Sequence, residues 1–130
     1  MPGRTTHSLA GAAAGYLAAS SADSTRQEGA GWEPLAGIAA GCIGGRLPDL
    51  LEPASTPNHR AVAHSAAVAV GLWWFWRAMN SRSDRETSRR PSTQLRPGEV
   101  LAATAISAFV MGYLAHLALD LTTPRGLPCI

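Results

Sequence analysis

The chain has 130 residues, of which 46% are hydrophobic and 15% charged, with a formal net charge of +2. An ordinary soluble domain carries about 25% charged residues, so the composition argues against that class and for a small membrane protein or an unusually apolar helical bundle. The small positive charge gives no reason to expect a nucleic-acid partner. Cys42 and Cys129 lie far apart and form neither a disulfide scaffold nor a Cys-x-x-Cys motif.

The length suits one domain over residues 1–130. The first apolar segment runs from His7 to Ala22 and reads as a soft helix of Ala, Gly, Leu and Tyr16. Arg4 and the run behind it resemble a signal peptide, but the run is weakly hydrophobic and holds His7, so retention is the expectation. A polar stretch with Gly29 and Gly31 follows. The second segment runs from Pro34 to Leu47, with Pro34 suited to a first helical turn. Pro48, Pro53 and Pro57 then predict an ordered, non-helical loop over Asp49–His59.

The third segment runs from Asn58, an expected N-cap, to about Asn80. It carries Trp73, Trp74, Phe75 and Trp76 ahead of Arg77, which is the composition of a membrane–water boundary. The alternative is an aromatic core patch. Residues 81–97 hold five arginines and two acids and read as a flexible linker. The fourth segment runs from Gly98 to Thr122, and residues 100–119 carry no charge, enough to span a bilayer. The Gly/Ala content of the first two segments suits close helix–helix approach. The expected fold is therefore all-α: an up-and-down antiparallel bundle of about four helices, membrane-associated.

All four histidines sit at segment edges: His7, His59, His64 and His116. Asp49 closes the second segment, and Asp120 follows His116 at i+4, on the same helix face. Arg60 and His64 have the same spacing. In an up-and-down bundle the start of helix one, the end of two, the start of three and the end of four share a pole. His7, Asp49, His59, His64, His116 and Asp120 thus converge by topology, at the pole opposite the arginine linker. Imidazole and carboxylate are the donors of a divalent metal site, with zinc first. The bland readings are a capped helix end, a hydrogen-bonded His–Asp pair and a simple Pro-Asp turn. If the bundle lies in a membrane, the linker arginines put their own pole in the cytoplasm and the histidine pole on the periplasmic side.

The motif order resembles the YdjM-type, inner-membrane-associated family of metal-dependent hydrolases. The matching residues are Thr6-His7, Gly44 through Pro48-Asp49, His59-Arg60 with His64, and Gly112-Tyr113 with His116, Asp120, Thr123 and Gly126. Many members read Pro-Asp-x-Asp, whereas this chain reads Pro48-Asp49-Leu50-Leu51-Glu52, so Glu52 stands displaced by one position. The resemblance implies an all-helical hydrolase of the inner membrane, distantly similar to zinc-dependent phospholipases C. It implies metal-activated water acting on a phosphoester or lipid-like small-molecule substrate. Glu52 or Asp49 would serve as general base, and Arg60 would steady an anionic group. The competing expectation is a non-catalytic membrane or scaffold protein whose pole is a structural polar or metal cluster.

Overall fold

The computed structural model describes residues 3–23, 31–52, 62–89 and 97–122, and every element among them is helical. The elements are α1 (Arg4–Asp23), α2 (Glu33–Gly44), α3 (Leu47–Leu51), α4 (Ala66–Arg89) and α5 (Pro97–Leu121). The Gly3 carbonyl starts α1 by accepting the Thr6 and His7 N–H groups at 2.8 and 3.2 Å. Pro34 lies in the first turn of α2, where a missing N–H costs nothing.

Three expectations change. Leu47–Leu51, placed at the edge of a non-helical loop, form the short α3, and Pro48 occupies its first turn instead of ending a helix. The arginine stretch is helical as far as Arg89, because the chain has no Gly or Pro between Leu72 and Arg90, and Pro91 is the first residue that forbids continuation. The third long helix begins at Ala66, so His64 lies in the turn before it and not on its face. Ser65 Oγ caps α4 by accepting the Val68 N–H at 3.2 Å. The expected cap, Asn58, lies outside the described residues.

α1, α2 and α5 pack mutually, while α4 rests chiefly on α5. The bundle is therefore a tight three-helix core with a peripheral fourth long helix. Glycine makes the core possible. Gly11 and Gly15 of α1 meet Gly37, Gly41 and Gly45, which repeat every fourth residue on one face of the second helix and its end. A Cβ on Gly11 would lie 2.9 Å from the Gly45 Cα, and one on Gly112 would lie 2.8 Å from the Gly41 Cα. The backbones touch with no room for a methyl group, as in membrane helix pairs. The pairings 11 with 45, 15 with 41 and 19 with 37 make α1 and α2 antiparallel.

Burial is inverted relative to a soluble domain. The largest fully buried side chains are Leu117, His64, His116, Asp120 and Pro48, and the remaining interior is mostly Gly and Ala. Leu9, Leu17, Leu35, Ile43, Val70 and Trp74 are exposed. Trp73 and Phe75 are exposed as well, so most of the aromatic run lies on the surface, with Trp76 partly buried. Among the described residues, Gly98–Leu121 is the one helical stretch long and apolar enough to cross a membrane. Its 24 residues span about 36 Å at the α-helical rise, against a hydrocarbon thickness of about 30 Å.

Candidate metal centre

The start of α1, the end of α2 with α3, the turn before α4 and the end of α5 meet at one pole. They bring together His7, Asp49, His64, His116 and Asp120. His59 and Arg60 lie outside the described residues. His64, His116 and Asp120 are fully buried, and Asp49 is the member that reaches solvent, its side chain 36% exposed.

Four donor atoms define the centre. His64 Nε2 lies 3.1 Å from His116 Nε2. It lies 3.5 Å from Asp49 Oδ1 and 3.6 Å from Asp120 Oδ2. His116 Nε2 lies 3.8 Å from Asp49 Oδ1 and 3.5 Å from Asp120 Oδ2. A tetrahedron of donors around an ion with bonds of about 2.0–2.1 Å has edges of about 3.3–3.4 Å. These five separations therefore match a small divalent ion in size.

The outer contacts set the protons. His116 Nδ1 faces the Gly45 carbonyl at 2.8 Å, and a carbonyl only accepts, so Nδ1 carries the hydrogen. His64 Nδ1 faces the Glu52 carboxylate at 3.3 Å and donates for the same reason. In the neutral rings both Nε2 atoms then present lone pairs toward each other and toward two carboxylates. Such a gathering is repulsive unless a proton or a cation lies among them. A ligating histidine that donates its other N–H to a carboxylate or carbonyl is the usual outer arrangement of a metal site.

His7 supplies a fifth donor. Its ring stacks on His116 with centroids 3.9 Å apart, and its Nε2 is 3.8 Å from Asp120 Oδ1. Its Nδ1 is buried with no hydrogen-bond partner among the described residues. Burial first, and His116 second, hold its pKa below the ordinary imidazole value, which favours the neutral, ligating form. His7, Asp49 and His116 make a second donor group that overlaps the group of His64, His116 and Asp120. His116 has one lone pair to give, because Nδ1 is spent on Gly45. It can therefore serve only one ion.

Gly45, Tyr113 and Ser65 support the centre without having been assigned a role from sequence. The Tyr113 hydroxyl donates to the Ala63 carbonyl at 2.8 Å and so fixes the turn that carries His64. The Gly112-Tyr113 pair within the last motif was the available signal. The Gly45 contact uses a backbone carbonyl and leaves no trace in residue type.

A family model described as YdjM inner membrane protein matches residues 1–130. No curated protein and no solved structure matches the chain.

Proposed function

The chain belongs to the YdjM inner membrane protein family, and from that premise and the pole geometry we propose that it is a membrane-embedded, metal-dependent hydrolase. Its centre would take one divalent ion, zinc by donor chemistry. His64, His116, Asp49 and Asp120 would hold the ion, with His7 adjacent as a fifth donor. The observation that carries this reading is the set of donor separations of 3.1–3.8 Å among side chains from three separate chain segments.

When bound, such an ion supplies Lewis acidity and a water of lowered pKa. The chain's own residues do the rest. Gly45 and Glu52 hold the two imidazoles with their Nε2 lone pairs inward. Asp49, the one solvent-reaching member of the cluster, marks the side by which water and substrate enter. Arg60, two residues before the described turn at Val62, is the candidate to steady an anionic group, and His59 is a further candidate donor. The exposed Leu, Ile and Trp side chains favour a phosphoester or lipid-like substrate that reaches the pole from the membrane. The arginines of residues 77–96 favour a cytoplasmic far pole and hence a periplasmic centre.

A second reading has its own support. The near-complete burial of His64, His116 and Asp120 suits a closed, structural metal clip. The deciding experiment is metal content by plasma mass spectrometry on tag-free protein in mild detergent, followed by a phosphoesterase screen. About one equivalent of zinc with turnover, lost in His116→Ala, supports the hydrolase. Metal without turnover supports the clip. A folded protein that neither contains nor takes up metal defeats both.

A further inference from the structure

Glu52 follows the last residue of α3 and lies outside the four-donor set. Both of its carboxylate oxygens are engaged. Oε1 accepts the Val62 N–H at 2.7 Å, and Oε2 accepts from His64 Nδ1 at 3.3 Å. Tyr113 grips the residue between them, at the Ala63 carbonyl. The turn over residues 62–64 is thus held at its backbone from two sides, and its histidine ring is held at Nδ1. The carboxylate selects the Nδ1–H form of His64, which is the form that leaves Nε2 bare toward His116, Asp49 and Asp120.

We propose that Glu52 is a positioning residue: it fixes the tautomer and direction of the His64 ring and does not serve as the general base. The proposal rests on the metal reading of the pole for its consequence, though the tautomer itself does not. A base needs a free lone pair close to the water it deprotonates. Glu52 Oε2 lies against His64 Nδ1, whereas the donor group gathers at Nε2, so the carboxylate stands behind the imidazole and not among the donor atoms.

Glutamine separates positioning from packing. Glu52→Gln keeps the size of the side chain and can keep the Val62 N–H on its carbonyl. Its NH2 then faces His64 Nδ1, a donor against a donor, which favours the proton on Nε2, away from metal ligation. Glu52→Ala merely frees the ring. The test uses the full chain in mild detergent with cobalt(II) as probe. Affinity is read by chelator competition, geometry by the visible d–d bands, and the His64 tautomer by ring nitrogen-15 shifts in the metal-free protein. The expectation is a proton on Nδ1 in the wild type and on Nε2 in Glu52→Gln. Cobalt affinity should fall about 10–100-fold in Glu52→Gln, at least as far as in Glu52→Ala, with altered d–d bands and unchanged helicity. An Nε2-protonated His64 in the wild type overturns the proposal, and that measurement requires no variant to fold. So does a Glu52→Gln protein with wild-type affinity and spectrum. A wild type that binds no cobalt but shows the Nδ1–H tautomer defeats the metal reading while leaving the positioning role intact.

Discussion

Within two turns α1 passes between two kinds of interior. At His7 it enters a pole of imidazoles and carboxylates, largely buried and open to solvent at Asp49. At Gly11 and Gly15 it enters a seam where backbone lies on backbone and no side chain intervenes. The seam gains from dispersion and close approach, so any added atom is a loss. The pole gathers groups that repel one another, so its stability depends on what neutralises them. The seam holds α1, α2 and α5 in register, and that register is what brings residues 7, 49, 116 and 120 within a few ångströms.

The sharpest way to break the comparison is His116→Ala. Metal content should fall from about one equivalent to background, while circular dichroism remains helical because the glycine seam is untouched. Unchanged metal content would remove His116 from the donor set. Next comes Gly41→Ala in the seam, whose Cβ would collide with the Gly11 carbonyl oxygen and lie 2.7 Å from the Gly15 Cα. Overpacking of this kind costs about 1–3 kcal/mol, so thermal unfolding in detergent should shift down and metal retention should weaken with it. A wild-type melting curve would mean that the seam is looser than described.

A pH titration has a smaller, graded effect on the pole alone. Histidines ligate only when deprotonated, so metal retention is expected to fall once the pH is lowered past the ordinary imidazole range. Burial and His116 hold His7 below that range, so His7 stays neutral to lower pH than an ordinary histidine. Retention that did not change on acidification would exclude histidine ligation. The smallest effect belongs to Trp74→Ala, at a side chain 73% exposed on α4, the helix outside the three-helix core. Stability should change by less than about 0.5 kcal/mol, but partition into lipid vesicles should weaken. A large loss of stability would place the aromatic run in a protein contact.

Much of this was legible in one dimension. Pro34 marks a true helix start because proline suits a first turn, whereas Pro97, read as the end of the linker, opens α5. The uncharged stretch over residues 100–119 lies within one helix, as expected of a candidate span. The parity of helix ends was enough to gather four of the candidate segments at one pole. Other features were not legible. The continuation of α4 to Arg89 reversed a reading based on charge density, because backbone propensity asks only whether a breaker is present. His64 left the helix for a turn because Ser65 caps α4, which begins at Ala66.

The order of histidines and acids relative to apolar segments, and hence their shared pole, follows from the amino-acid sequence alone, since helix direction alternates along an up-and-down chain. The Gly/Ala content of the first two segments likewise suits close helix–helix approach. Only the tertiary structure decided which glycines oppose which, that α4 stays outside the core, and that Gly45 and Glu52 turn the two imidazoles inward. These are contacts between residues far apart in the chain, set by where backbones can touch and where a proton must point. Neither quantity is written in residue type or local spacing.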